Sequence, residues 1–283
     1  MLERLLDAIQ GVCSPEQAAW LGQAPRELDH GAASPDGLSR LSAQARRRLG
    51  RQLLGTGHSP LDTAAGPLPI EDWEAGDAGR VALLLTALRH AGESGETWVA
   101  AVFRRGDESE RAALARGLAL FFPDDRLKPL ALEAGRANSL LLTGAVSLRN
   151  PYPAAYYSEA EFNQLVLKAL FTHLGAADIM GLERRANPEL SRMCADYVDE
   201  LTAAGREVPP NIWLALMPHA TPAGLAHARR FLAEGDSTHR RYAALAMVRA
   251  LGRFPELRAE LDQRRAHEPD EDTRGILAAA SPE

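Results

Sequence analysis

The fold is decided in Asn150–Trp213, which reads NPYPAAYYSEAEFNQLVLKALFTHLGAADIMGLERRANPELSRMCADYVDELTAAGREVPPNIW. Ser158 and Glu161 stand three residues apart, which is the spacing of a capping box at a helix N-terminus. Apolar side chains then recur at helical spacing, at Phe162, Leu165, Val166, Ala169 and Leu170. The pattern predicts an amphipathic α-helix that begins directly after Ser158.

A second helix is predicted later in the same stretch. Asn187 and Pro188 are a typical N-cap residue followed by proline at the first helical position. The apolar stripe of this helix consists of Leu190, Met193, Cys194, Tyr197 and Leu201. Gly205 and the pair Pro209-Pro210 end the pattern. The stretch therefore predicts two amphipathic helices, each with one buried face.

Helix signals continue on both sides of this stretch, with short turns between them. Of the 283 residues, 46% are hydrophobic but only 6% are aromatic, whereas strands favour aromatic and β-branched side chains. Consecutive helices joined by short turns are typical of antiparallel neighbours. We therefore predict an all-α fold, with more than half of the residues in helices and no sheet. The preferred architecture is an irregular HEAT-like stack of antiparallel helix pairs, which is an α-solenoid or a large helical bundle.

Glycine and proline are concentrated in residues 50–69, which makes this segment the best candidate for a boundary. The sequence predicts an N-terminal helical segment over residues 1–55 and a helical-repeat body over residues 70–268. The last residues, 269–283, contain one weak helical turn and are predicted to fray. Because helices follow almost without pause, we expect these parts to form one continuous domain.

Charge and cysteine usage exclude several classes of protein. A net charge of −6 and a pI near 5.8 argue against a nucleic-acid-binding protein. Cys13 and Cys194 are the two cysteines and have no metal-like spacing, as is typical of a cytoplasmic protein. The N-terminal MLERLLDAIQ is interrupted by charges, unlike a signal peptide. No apolar run approaches the ~20 residues of a membrane helix, so we expect no direct membrane insertion.

No metal, cofactor or catalytic residue is predicted. The eight histidines form no HxxxH or HExxH pair and are His30, His58, His90, His173, His219, His227, His239 and His267. His173 continues the apolar stripe that begins at Phe162, so it is expected to be a hydrogen-bonded core residue. Cys194 lies on the apolar side of its helix and is expected to be a buried, unreactive thiol.

Polar side chains gather between residues 136 and 197. The candidate ligand-binding residues are Arg136, Asn138, Asn150, Tyr152, Tyr156, Asn163, Gln164, Lys168, Arg184, Arg185, Asn187 and Asp196. One interpretation is structural, because Asn150 and Asn187 can cap helices and arginines can pair with nearby carboxylates. The other is a pocket for a polar or anionic metabolite, with the tyrosines of Tyr152–Tyr157 as a lid.

Several runs of this sequence resemble the EboA family. The runs are ALEAGRANS (131–139), NPYPAAYYSEAEFNQLVLKALF (150–171), GLERRANPELSRMCADYVDEL (181–201) and AAGREVPPNIW (203–213). The resemblance implies a bacterial protein from a gene cluster associated with the processing and export of secondary metabolites. It also implies partners among the other proteins of that pathway, including a membrane prenyltransferase, and a small-molecule metabolite as ligand.

Two functions follow as hypotheses. The first, which the resemblance favours, is a non-catalytic helical binding or adaptor protein in metabolite processing and export. The second is an enzyme that acts on a phosphorylated or prenylated small molecule. In the enzyme, Lys168, Arg184 and Arg185 would stabilise charge, and either Asp196 or Glu161 would serve as the acid or base.

Overall fold

A computed structural model describes residues 1–27 and 34–280 of the chain. Of these residues, 72% are helical, which confirms the all-α prediction. Contacts divide the chain into two units, Met1–Ser158 and Glu159–Glu283, which are described separately below. The HEAT-like arrangement and the domain bounds derived from the sequence stay predictions. His30 and residues 281–283 lie outside the described residues.

Among the described residues of the first unit, three α-helices precede a short hairpin in the chain and seven follow it. They are α1 (Leu2–Val12), α2 (Pro15–Glu27), α3 (Pro35–Leu49), α4 (Ala75–Ala91), α5 (Gly95–Arg105), α6 (Glu108–Arg116), α7 (Leu118–Phe121), α8 (Lys128–Arg136), α9 (Leu140–Ser147) and α10 (Tyr152–Tyr156). Strands β1 (Leu61–Thr63) and β2 (Gly66–Leu68) form the hairpin.

The hairpin corrects the prediction that the chain contains no sheet. Leu61 pairs with Leu68 and Thr63 with Gly66 in antiparallel register. The Thr63 hydroxyl donates a hydrogen bond of 2.6 Å to the Gly66 carbonyl and closes the turn. Gly66 has φ of +121°, a conformation that side chains with a Cβ rarely adopt. The glycines and prolines that indicated a linker therefore form a turn whose apolar ends, Leu61 and Leu68, are buried.

Helix α4 is the centre of the first unit. Residues 75–85 of this helix are all buried. Helix α3 packs along it so closely that a Cβ on Gly76 would lie 2.6 Å from the Cα of Arg46. A helix that is surrounded by its neighbours needs small side chains for close approach, so Gly76 cannot be replaced without moving α3.

The buried charges on α4 neutralise each other. Arg80 donates a 2.8 Å hydrogen bond to Asp77 and a second one, 3.2 Å long, to the Ser42 carbonyl of α3. Burial raises the pKa of Asp77, and the guanidinium of Arg80 opposes that rise. The ion pair therefore ties α4 to α3 inside the unit.

We predict that Gly76→Ala destabilises the protein by about 1–3 kcal/mol, because the added methyl group overpacks the contact with α3. Gly22→Ala is the matched control, since nothing lies within 4 Å of a Cβ at this helical position. That change should raise stability by up to about 1 kcal/mol through helix propensity. Urea unfolding of both variants measures the difference, and equal stabilities would contradict the close approach.

The second unit consists of helices α11 to α18. They are α11 (Glu159–Phe171), α12 (Leu182–Arg185), α13 (Pro188–Ala203), α14 (Trp213–Leu216), α15 (Pro222–Glu234), α16 (Ser237–Arg249), α17 (Leu257–His267) and α18 (Glu271–Ala278). Trp213 is fully buried at the centre of the unit. Its ring lies 4.9 Å from the ring of Phe231 and 6.3 Å from that of His239.

The two helices predicted from the central stretch are α11 and α13. Helix α11 begins directly after Ser158 and buries the expected stripe from Phe162 to Leu170. The side chain of Asn187 accepts a 2.9 Å hydrogen bond from the Leu190 backbone and caps α13, as predicted. The capping box of Ser158 and Glu161 stays a prediction.

The C-terminal tail differs from its prediction. Residues 271–278 form the regular helix α18, in which Thr273 and Leu277 are fully buried. The Asp270 carboxylate accepts a 2.9 Å hydrogen bond from the Thr273 backbone and caps the helix. Because α18 packs against α16 and α17, the buried leucine and the cap replace the fraying expected of a short polar segment.

His173 is not a core residue, which corrects another prediction. It is exposed and has φ of +55°. The His173 amide donates to the Leu170 carbonyl, and the Leu174 amide donates to the Ala169 carbonyl. This is a Schellman motif, and α13 ends in the same motif at Gly205, where φ is +63°. The apolar stripe therefore stops at Leu170, because the chain turns out of the helix at His173.

We predict that His173→Gly stabilises the protein by about 0.5–1 kcal/mol, because glycine adopts the left-handed conformation without a steric cost. Gly205→Ala, at the equivalent position of α13, should destabilise it by about 1 kcal/mol for the same reason. Thermal melting should show a higher melting temperature for His173→Gly and a lower one for Gly205→Ala than for the wild type. If His173→Gly melts at a lower temperature, the imidazole must make a stabilising contact.

Candidate functional site

A cavity of about 670 Å³ lies within the second unit. Its walls come from the segment after α11, from α12, from α14, and from α16 with the turn that continues it. The lining residues are Ala177, Ile179, Gly181, Leu182, Glu183, Arg184, Leu214, Pro218, Ala246, Arg249, Ala250 and Arg253. This volume is typical of pockets that hold small molecules.

The local sequence explains how the arginines reach this cavity. Gly181 has φ of +74° and turns the chain into the short helix α12, which carries Arg184. Arg249 is the last residue of α16, and Arg253 follows four residues later, after a 3-10 turn. Both arginines line the cavity.

The cavity has an apolar floor and a cationic rim. Ile179, Leu182 and Leu214 are buried and form part of the floor. Glu183 is the carboxylate among the lining residues, and it lies 4.0 Å from Arg249. Both of these side chains are at least half exposed, so the ion pair contributes under about 1 kcal/mol. Three guanidinium groups face one carboxylate, and the rim carries an excess of positive charge.

The amides of Asn163 and Asn187 bind each other inside the second unit. Asn187 donates a 2.8 Å hydrogen bond to Asn163, and Asn163 donates one of 3.2 Å in return. Asn187 also donates to the Arg185 carbonyl, at 3.2 Å. Both side chains are buried. Two of the predicted ligand-binding residues are therefore structural, and they join α11 to the N-terminus of α13.

The neighbours Arg184 and Arg185 have different environments. Arg184 is exposed and lines the cavity. The guanidinium of Arg185 instead lies 4.8 Å from the ring centroid of Phe162, in cation–π geometry. The sequence suggested one role for both arginines. In the structure, Arg184 lines the cavity and Arg185 packs on α11.

Gln164, Lys168 and Asp196 lie away from the cavity-lining residues. Asp196 lines a second, more open depression of about 440 Å³ between α11 and α13. Gln164 is exposed on α11, on the same side as Leu167 and Phe171 of this depression. Lys168 is half-buried, and burial lowers the pKa of its amine. These residues and Arg184 therefore do not share one site.

The remaining candidates belong to the first unit. Asn150 is buried and donates to the carbonyls of Ala115 (3.0 Å) and Ala145 (3.1 Å), while its oxygen accepts from the Tyr152 backbone. It is therefore structural, as one of the two interpretations expected. Arg136 is exposed at the end of α8, and Asn138 is exposed in the following turn.

The tyrosines do not form an open lid. Tyr152 is fully buried, and its ring lies 4.8 Å from that of half-exposed Tyr156. Tyr157 is also buried. Burial raises the pKa of Tyr152 well above its usual range. The three tyrosines lie on and directly after the short helix α10, whose N-cap residue is Pro151.

The cavity arginines Arg249 and Arg253 were missed by the sequence reasoning. They lie outside the segment in which polar residues gather, and basic residues at helix ends are normally interpreted as solvated. The sequence feature that could have drawn attention to them is the occurrence of two arginines four residues apart. Cys194 meets its expectation, since it is fully buried and burial raises its pKa to about 12.

The fold and the cavity define an all-α protein with a small-molecule-sized site whose rim is cationic. The chain belongs to the EboA family, described as metabolite traffic protein EboA, whose model matches residues 1–217. Part of the cavity, including Arg249 and Arg253, follows the matched region. No curated protein and no solved structure matches the chain. Within residues 1–27 and 34–280, no helix has both the length and the apolar character needed to cross a membrane.

We predict that Asn163→Ala lowers the free energy of unfolding by about 1–3 kcal/mol, because the amide of Asn187 would lose a buried partner. Gln164→Ala is the matched control, because Gln164 is the next residue of α11 and its side chain is exposed. This substitution should change stability by less than about 0.5 kcal/mol. Chemical denaturation compares the two variants. Equal effects would show that the amide pair is not a structural link.

Proposed function

We propose that this protein is a non-catalytic binding protein for metabolite traffic and that the cavity between α12, α14 and α16 holds its ligand. The observation that supports this proposal is the cationic rim above an apolar floor. The chain belongs to a family whose description is metabolite traffic protein, which is consistent with a site that binds and releases a small molecule. The expected setting is the cytoplasm, with other proteins of the pathway as partners, a membrane prenyltransferase among them.

The chemistry of the cavity favours an amphipathic anion. Guanidinium groups form strong, often bidentate hydrogen bonds with carboxylate, sulfonate and phosphate oxygens. Arg184 and Arg253 have no carboxylate partner among the described residues, so their donors are available to a ligand. An acidic group at the rim would leave the rest of the molecule on Ile179, Leu182 and Leu214. Each buried methylene of that part contributes about 0.8 kcal/mol.

The alternative, an enzyme that uses Lys168, Arg184 and Arg185 with Asp196 or Glu161, has less support. Arg184 lines the cavity, whereas Arg185 packs on Phe162 and Asp196 lines the other depression. Asp196 also accepts a 2.5 Å hydrogen bond from Arg192, which leaves it poorly placed to take a proton from a substrate. Arg184, Arg185 and Asp196 therefore do not converge on one reacting atom, which acid–base catalysis requires.

We predict that the double variant Arg249→Ala, Arg253→Ala binds 1-anilinonaphthalene-8-sulfonate at least about tenfold more weakly, since each charged hydrogen bond contributes about 1.5–3 kcal/mol. The uncharged probe N-phenyl-1-naphthylamine has the same apolar body and should bind both proteins equally. Fluorescence titration measures the two affinities.

Arg241→Ala is the control variant, because Arg241 is exposed on the same helix but does not line the cavity. It should leave the binding of both probes unchanged. Mass spectrometry of small molecules retained by the native protein extends the test to the natural ligand, which should be acidic and should be lost in the double variant. Unchanged binding of the sulfonate probe in the double variant would contradict the proposal.

A further inference from the structure

The depression between α11 and α13, called the α11–α13 groove below, has an apolar floor that is open to solvent. Leu167 and Phe171 of α11 face Met193 and Tyr197 of α13 across it. Phe171 is 62% exposed, an unusual fraction for an aromatic side chain. Met193 and Tyr197 were predicted to be buried with Cys194, but both are half-exposed. The groove therefore presents side chains that normally lie in a core.

The rim of the groove is acidic. Asp196 and Glu200 stand on its α13 side together with Arg192. Arg192 is occupied, since it donates to Glu189 at 2.7 Å and 3.0 Å and to Asp196 at 2.5 Å. Glu200 is exposed and has no ion-pair partner among the described residues. Two carboxylates and one guanidinium line the groove, and Glu189 lies on the same face of α13 just beyond it, so the rim carries negative charge.

Two features of the helices that form the groove fix its apolar floor. The amide pair of Asn163 and Asn187 joins α11 to the start of α13, and the Schellman motif at His173 ends α11 two residues after Phe171. The amide pair therefore fixes the two helices relative to each other at one end of the groove. Met193 adds an unbranched side chain that adapts to different apolar surfaces.

We propose that the α11–α13 groove docks a basic amphipathic helix of a partner protein. An amphipathic helix places its apolar residues at positions i, i+3, i+4 and i+7, which matches a groove between two helices. Lysine or arginine side chains beside that apolar stripe would meet Asp196 and Glu200. The opposite rim charges of the groove and the cavity select different occupants, because the acidic rim repels the anionic molecule that the cavity attracts. This proposal does not depend on the identity of the cavity ligand.

The test uses two labelled synthetic peptides of about 18 residues, roughly five helical turns. Both carry leucine at the same apolar positions, and the other positions hold lysine in the basic peptide and glutamate in the acidic one. Fluorescence anisotropy measures their binding to the full chain. The basic peptide should bind at least about tenfold more tightly than the acidic peptide, because like charges oppose association.

Two variants locate the binding. Phe171→Ser should weaken the basic peptide about tenfold or more, as expected of an aromatic anchor, and should leave the melting temperature unchanged because Phe171 is exposed. Glu200→Lys should weaken the basic peptide and strengthen the acidic one. Glu234→Lys, an exposed charge reversal at the end of α15, should change neither affinity.

Three results would overturn the proposal. The first is equal affinity of the basic peptide for wild type and Phe171→Ser, and the second is equal affinity of both peptides for wild type. The third is a dimer in analytical ultracentrifugation that dissociates in Phe171→Ser, because a second copy of the chain would then occupy the groove. The proposal is supported if the wild type is a monomer and Glu200→Lys binds the basic peptide more weakly and the acidic peptide more tightly.

Discussion

The amide pair of Asn163 and Asn187 is the constraint on which the second unit depends. Each amide satisfies the other in a buried setting, and Asn187 also caps α13. The same side chain donates to the carbonyl of Arg185, which fixes the end of the short helix α12. One polar contact thus positions α11 and α13, which form the groove, and α12, which carries Arg184 to the cavity. Burying the two amides costs desolvation free energy, and this cost is offset because both amides are hydrogen-bonded.

The two surfaces of the second unit have opposite charge and different shape. The cavity is partly enclosed and has guanidinium groups at its rim, whereas the groove is open and has carboxylates. In the proposed function, the cavity holds a small molecule and the groove docks a helix of a partner protein. Opposite charges would keep those two recognition events separate, since each surface repels the ligand of the other.

The first unit shows how tertiary packing changes the meaning of a sequence pattern. Helix α4 contains glycine and alanine beside valine and leucine, and the structure buries all of residues 75–85 against α3 and other helices. Polar residues that suggested a ligand site, such as Asn150, are used here to satisfy backbone carbonyls of helix ends. Backbone groups that are buried need partners, so part of the polar cluster is explained by the fold.

The amino-acid sequence was enough to predict the all-α class, the starts of α11 and α13, the buried face of α11 and the burial of Cys194, because caps and helical periodicity are local properties of the chain. It also carried the resemblance to the EboA family. The tertiary structure alone decided which polar residues converge. Arg184 meets Arg249 and Arg253, which lie more than sixty residues away in the chain, while its neighbour Arg185 packs on Phe162. Local patterns show which way a side chain leaves its helix, but the partners it meets depend on how distant helices pack.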